Sequence, residues 1–235
     1  MKTDPTFDLI DRTLAKNCQT FAFEYTVVDM RRMMRYIQGD RSMLSSFLSP
    51  KELERYEGFA LPKKKLQWLA GRLAVKAALT KDRAVYGQKI FMPAIDILHN
   101  ENRAPYIVQY PEIQLSISHS FPYCIGVVSR RRIGIDLEKM IAPHKTMFNL
   151  FFHPHEVRNL PDPKETEAYQ YMAMKYWTRK EALSKLLGLG MKVDFRKLDT
   201  VDDELILKEF GGLKVRLDSY LCSDFVCSIT IEENA

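Results

Sequence analysis

The chain has 235 residues, 46% apolar and 28% charged, a balance that suits a soluble globular protein of one large domain or two small ones. No apolar run approaches the roughly 18 residues of a membrane span, and Met1-Lys2-Thr3-Asp4-Pro5 leads into acids, so neither an anchor nor a secretory signal is expected. The net charge of +5 lies in residues 1–113, where 18 bases face 13 acids, while residues 114–235 carry 17 of each. That excess suits an anionic ligand or an acidic partner, but it is too small, and too poor in interleaved aromatics, for a nucleic-acid surface.

In chain order, Phe21–Val28 predicts the first strand. Ser49-Pro50-Lys51-Glu52 has the pattern of a capping box with proline at the first helical position, so a helix starts there. Pro62 opens the next helix, carried by Leu66, Leu69, Leu73 and Ala77 to about Leu79. Ile95–Leu98 and Tyr106–Val108 form a strand pair around the turn Asn100–Arg103. Gln114–Ser118, Tyr123–Ser129 and Ile133–Glu138 are short strands between turn residues. Phe151–Leu160 is a short helix with Pro154 near its start. A helix of about two dozen residues follows Pro163 and stops at Gly188. Leu205–Phe210 and Leu213–Leu217 make a hairpin, and Phe225–Ile231 is a last strand. The basic runs Lys63–Lys65 and Arg130–Arg132 are solvated faces. Cys18, Cys124, Cys222 and Cys227 show no Cys-x-x-Cys spacing, so they are expected as free thiols in a reducing cytoplasm.

The two tryptophans, Trp68 and Trp177, are each followed at +4 by a charge (Arg72, Glu181) and at +8 by lysine (Lys76, Lys185), an offset of 109 residues. This predicts an internal duplication. Residues 1–113 and 114–235 would be two similar α+β lobes about a pseudo-twofold axis, with a ligand cleft between them.

Gly134-Ile135-Asp136-Leu137-Glu138 carries the chemistry. On a strand, Asp136 and Glu138 share one face and repel each other, and such a pair is usually held by a cation. On the long second helix, Glu181 and Lys185 share a face at i and i+4. Three carboxylates and a lysine are the parts needed to hold Mg²⁺ against a phosphate. Taken singly, they also read as a strand end and a surface ion pair. Ser116-Ile117-Ser118-His119-Ser120, at the end of a strand, offers hydroxyls and an imidazole to phosphate oxygens. It lacks the Gly-x-Ser-x-Gly elbow of a serine hydrolase. His153-Pro154-His155-Glu156 is not a His-Glu-x-x-His zinc motif and reads as a solvated helix start. Gly188-Leu189-Gly190 follows a helix, and Val193 fills its third glycine position, so it is a turn and no dinucleotide fingerprint.

Three blocks, in order, resemble the 4′-phosphopantetheinyl transferases of the surfactin-synthetase-activating type. They are Ile117-Ser118-His119-Ser120, Gly134-Ile135-Asp136-Leu137-Glu138, and Trp177-Thr178-Arg179-Lys180-Glu181-Ala182 with Lys185. Phe47-Leu48-Ser49-Pro50 and Phe151-Phe152-His153-Pro154-x-Glu156 extend the likeness over roughly residues 45–230. The resemblance implies two α+β lobes with coenzyme A between them. It implies transfer of the phosphopantetheine arm to a serine of an apo acyl or peptidyl carrier protein, releasing 3′,5′-adenosine bisphosphate. By the match, Asp136, Glu138 and Glu181 would hold Mg²⁺ on the pyrophosphate. Lys180 and Lys185 would face phosphates, and Ser118 and His119 would touch the nucleotide phosphates. Arg55 would be the base for the 3′-phosphate. The family's Gly-Lys/Arg-Pro turn, whose base contacts the 3′-phosphate, reads here as Asn102-Arg103-Ala104-Pro105, so Arg103 would be a further nucleotide contact, with the base displaced by one. Glu52 and Gln67 stand where some members have bases, so the nucleotide would fall to Arg55, Arg72 or the lysine run. Glu181 is the candidate base for the serine proton, with a metal-bound water as the alternative.

The expected protein is a cytoplasmic monomer that binds neither nucleic acid nor membrane. Its carrier would dock on Lys139–Phe152, through Met147 or Phe148 ringed by Lys139, Lys145 and Arg158. The rivals are a divalent-metal phosphohydrolase and a non-catalytic binder of an acidic partner.

Overall fold

Residues 4–233 are described in the computed structural model of the chain. Met1-Lys2-Thr3, part of the segment behind the signal expectation, lies outside them. Helix α1 (Pro5–Phe21) starts where the Asp4 carboxylate accepts from the backbone N–H of Thr6 and Phe7, with proline at the first position. Strand β1 (Phe23–Asp29) runs into α2 (Met30–Gly39), which Asp29 caps in the same way. The expected capping box opens α3 (Pro50–Glu57), with Ser49 and Glu52 each satisfying the other's backbone N–H. Helix α4 (Pro62–Val85) is longer than its periodicity suggests. The hairpin of β2 (Ile97–His99) and β3 (Pro105–Ile107) follows, then β4 (Gln114–Ser120) and β5 (Tyr123–Ser129). The antiparallel sheet has the order β1-β5-β4. Helix α4 packs on its central strand at Gly126, where a Cβ would stand 2.6 Å from the Val75 nitrogen.

The second sheet begins with β6 (Ile133–Lys139). Helices α5 (Lys145–Phe151), α6 (Pro154–Arg158) and α7 (Thr166–Leu186) come next, then β7 (Glu204–Leu207), β8 (Leu213–Cys222) and β9 (Phe225–Glu232). Its order is β6-β9-β8-β7, all antiparallel. The predicted single helix over Phe151–Leu160 is two short ones, because Phe152 and His153 are extended before Pro154 restarts the turn. His153 is the N-cap of α6 and forms a capping box with Glu156.

The fold class is α+β, in two compact units. One runs to Glu101 and includes Pro105–Arg130; the other takes Asn102–Ala104 and the chain from Arg131 on. The boundary therefore falls after Arg130 and not after residue 113, because β4 and β5 pair with β1. Cys124 in the first unit and Cys222 and Cys227 in the second are buried, Cys18 is partly exposed, and all four are free thiols. No helix among the described residues is long and apolar enough to cross a membrane.

The units repeat each other, in a register different from the one the tryptophans suggest. The order β1, α3, α4, β4, β5, with β5 central, recurs as β6, α6, α7, β8, β9, with β9 central. Lys76 Nζ donates to the carbonyls of Phe47 (2.8 Å) and Met92 (3.0 Å) and pairs with Glu52 of the α3 capping box. Lys180 Nζ donates to the carbonyls of Phe195 (2.7 Å) and Leu198 and pairs with Glu156 of the α6 capping box at 2.9 Å. Lys81 Nζ donates to the Tyr25 carbonyl of β1 (2.7 Å), and Lys185 Nζ to the Ile135 carbonyl of β6 (3.0 Å). Glu52, Lys76 and Lys81 thus map onto Glu156, Lys180 and Lys185, a shift of 104 residues. Trp68 and Trp177 do not correspond.

Candidate active site

The site starts from a glycine. Gly134, Asp136 and Glu138 share one face of β6 by strand alternation. A Cβ on Gly134 would fall 1.8 Å from the Ala182 carbonyl oxygen, so α7 lies directly on that face. The contact brings Lys185 Nζ to 2.7 Å from Asp136 Oδ1, with Asp136 only 3% exposed. Glu138, one pleat further along, is partly buried. Burial pushes the Glu181 carboxyl above its ordinary value, the charge of Asp136 pushes it further, and Lys185 opposes both.

Asp136, Glu138 and Glu181 bring three carboxylates to this region, and Lys185 pairs with the first. The all-oxygen donor set fits a hard divalent cation such as Mg²⁺. Among the described residues, no three His, Cys, Asp or Glu side chains are already drawn together in metal-ligand geometry.

The rest of the Trp177–Ala182 block is scaffold. Thr178 Oγ1 meets Ser228 Oγ on β9 (2.7 Å), which meets Ser219 Oγ on β8 (2.8 Å). Arg179 is 1% exposed; its Nε donates to Ser219 (2.9 Å) and its Nη1 to the Thr200 carbonyl (2.7 Å). Lys180 is 0% exposed and fully engaged, as described above, so it is not available to a phosphate. This corrects its expected role as a phosphate ligand. An α7 position facing packed segments on several sides is buried whatever its polarity, which the motif alone does not reveal.

The first unit holds the other named residues. Ser118 is buried in β4, and only His119 of that pair turns its side chain to solvent. Arg72 is 2% exposed, donates to the Ile97 carbonyl (3.0 Å), and lies 3.2 Å from Glu52 and over the Trp68 ring. It is a core cation, which corrects its expected place at the nucleotide. Arg55 is exposed on α3. His99, exposed at the end of β2, is pulled down to about 4 by partial desolvation and by the charges of Arg72 and Arg55. Arg103, in the second unit, is exposed at the β2–β3 turn with φ +64°. Two features escaped the sequence reading: the close approach at Gly134, and the buried pairs of Glu52 with Lys76 and Glu156 with Lys180. The shared Pro-x-Glu after a Phe-Leu or Phe-Phe step was the available signal for those pairs.

A strand carrying paired carboxylates beneath a helix carrying a glutamate and a lysine is an arrangement suited to a cation and a phosphate. The family model of the 4′-phosphopantetheinyl transferase superfamily matches residues 132–230, the stretch that carries this face. The holo-[acyl-carrier-protein] synthase of Lactococcus lactis subsp. cremoris is 31% identical over 97 residues, 40% of this chain and 82% of that protein. The 4′-phosphopantetheinyl transferase of Bacillus subtilis is 26% identical over 183 residues, 76% of this chain and 75% of that protein. A crystal structure of the Helicobacter pylori holo-[acyl-carrier-protein] synthase in complex with coenzyme A covers 46% of this chain and 97% of its own, at 26% identity and TM-score 0.37. The chain belongs to the 4′-phosphopantetheinyl transferase superfamily.

Proposed function

We propose that this chain loads an apo acyl or peptidyl carrier protein in the cytoplasm, as a monomer, with the phosphopantetheine arm of coenzyme A. The observation that carries the reading is the buried pairing of Asp136 with Lys185 beside a Glu181 whose ionisation burial and Asp136 both oppose. Asp136, Glu138 and Glu181 would hold Mg²⁺, which neutralises the pyrophosphate charge when bound. Lys185, already on Asp136, turns toward a phosphate oxygen and offsets the charge that develops on the leaving group. The carrier serine oxygen bonds to the phosphorus that bears the pantetheine arm. The bond from that phosphorus to the bridging oxygen breaks, and 3′,5′-adenosine bisphosphate leaves with the electron pair. Glu181 takes the serine proton, and the raised affinity of its carboxyl for a proton suits it to that task. Arg55 and His119 are the exposed bases of the first unit proposed for the nucleotide phosphates.

The test is mass spectrometry of apo-carriers incubated with the protein, coenzyme A and Mg²⁺. The expected result is the gain of one phosphopantetheine, lost in excess chelator and reduced roughly 100-fold or more in Asp136→Ala. Hydrolysis of coenzyme A without any acceptor would overturn the reading in favour of a phosphohydrolase.

A further inference from the structure

Glu156 and Lys180 are both 0% exposed, and the transfer mechanism does not use them. Glu156 Oε1 accepts from the N–H (2.9 Å) and the hydroxyl (2.7 Å) of Thr200, and Oε2 accepts from the N–H of His153 (2.9 Å). Lys180 adds the carbonyls of Phe195 and Leu198. One ion pair therefore ties α6, the 195–200 segment and α7 together, and the next residue on α7 is Glu181. The first unit builds the same strut. There Glu52 accepts from the N–H of Ser49 (3.1 Å) and Ile97 (3.3 Å) and pairs with Lys76. The residue after Lys76 is Ala77, which has no carboxylate to aim. Whatever the strut gives to stability is common to both units. Anything further belongs to the second alone.

We propose that Glu156 and Lys180 are positioning residues that fix the rotation of α7 about its axis and so aim Glu181 at the metal-binding face of β6. This rests on the reading of Glu181 given above. Gly134 sets how close α7 lies to β6, and Thr178, Arg179 and Lys185 tie α7 to the sheet; the Glu156–Lys180 pair adds the restraint that holds α7 to α6 and the 195–200 segment, at the residue next to Glu181. A carboxylate about 6 Å from a helix axis swings about 1 Å for 10° of rotation. A misplacement of that size is enough to cost on the order of 100-fold in rate.

The two struts make a matched experiment. Glu156→Gln with Lys180→Met removes both charges of the second strut while keeping its shape; in the first unit Arg72 also pairs with Glu52, so Glu52→Gln is made with both Lys76→Met and Arg72→Met, and neither variant keeps a lone buried charge. Two quantities are read on the folded full-length protein: Mn²⁺ affinity by electron paramagnetic resonance with coenzyme A present, and kcat at saturating coenzyme A and carrier. Both variants should lose thermal stability. Only the second-unit variant should bind Mn²⁺ at least 5-fold more weakly and turn over at least 10-fold more slowly, with the first-unit variant within 2-fold of wild type. If the second-unit variant does not fold, Lys180→Arg, which keeps the charge but not the geometry, is read by the same two measurements. Equal effects from both struts, or none on either readout, would overturn the positioning role. A wild-type protein that neither binds Mn²⁺ nor transfers the arm would instead refute the reading of Glu181 itself.

Discussion

Gly134 and Ala182 meet backbone to backbone: a Cβ on Gly134 would stand 1.8 Å from the Ala182 carbonyl oxygen. No rotamer can relieve that, because both partners are main chain. Gly134→Ala must push α7 off β6, separating Lys185 from Asp136. The expected cost is on the order of 3 kcal/mol, read as a lower denaturation midpoint. Gly71→Ala on α4 is the contrast. Its Cβ would stand 3.2 Å from the Ile117 side chain, which can give, and alanine gains about 1 kcal/mol of helix propensity. That variant should be neutral or slightly stabilised, and loss of folding there would contradict the packing described.

Glu181 trades stability for chemistry. Its carboxyl titrates above the ordinary 4.5 in the folded protein. Its contribution to stability is therefore full below about pH 4.5 and is lost as pH rises through the higher folded value. At neutral pH the ionised group destabilises the fold. Glu181→Gln should raise the melting temperature at pH 7.5, by roughly 2–4 °C for each kcal/mol gained, and the gain should vanish near pH 4. Turnover should fall about 100-fold or more. An unchanged melting temperature at pH 7.5 would refute the electrostatic strain.

For the proposed carrier surface on Lys139–Phe152, Met147 and Phe148 are partly buried. Phe148 packs edge-on against Phe152 with centroids 5.0 Å apart, and Met147 joins the same cluster with Tyr176. Within Lys139–Phe152 the large apolar side chains that are exposed among the described residues are Ile141 and Leu150, at 56% and 62%. Ile141→Glu or Leu150→Glu should raise the KM for an acidic carrier about 10-fold, as loss of an interface anchor does, and leave coenzyme A affinity unchanged. Phe148→Glu should instead destabilise the fold by roughly 3 kcal/mol. Normal carrier kinetics in both exposed-site variants would move the docking surface elsewhere.

His99 offers a direct probe of the nucleotide. Its lowering to about 4 follows from partial desolvation and from the positive charges of Arg72 and Arg55. A phosphate resting on Arg55 would offset that charge and raise the His99 value toward the ordinary 6.5. Proton NMR of His99 with and without 3′,5′-adenosine bisphosphate reads the shift. Arg55→Ala should raise the value on its own and abolish the ligand's effect. No movement on adding the bisphosphate would remove Arg55 from the site.

Most strands and the two long helices were legible, because alternation, proline starts and the Ser49–Glu52 capping box are local signals. Helices α1 and α2 were not read from the sequence. Their clearest marks are aspartates at the N-cap, Asp4 and Asp29, and Asp29 sits at the end of a strand pattern that masks it. Asp136 and Glu138 stood out because charge on an apolar strand is costly enough to need a reason, and Glu181 and Lys185 because they share one helix face at i and i+4. Lys180 and Arg72 misled because a cation in a motif looks available, and only packing shows that its charge is already satisfied. The repeat was recognised but misregistered, because tryptophans are conspicuous, whereas the shared contacts run through carbonyl oxygens that the sequence does not show.

The cysteines turn this repeat into something that can be timed. Cys124 is sealed in the first unit, Cys222 and Cys227 are sealed in the second, and burial keeps the Cys227 thiol protonated well above the usual range. None of the three can meet an alkylating reagent until its own sheet opens. Cys18, already partly exposed, marks the start of the clock. Following which sulfur is modified, and when, would show whether the unit bearing Asp136, Glu138 and Glu181 comes apart before its counterpart or together with it.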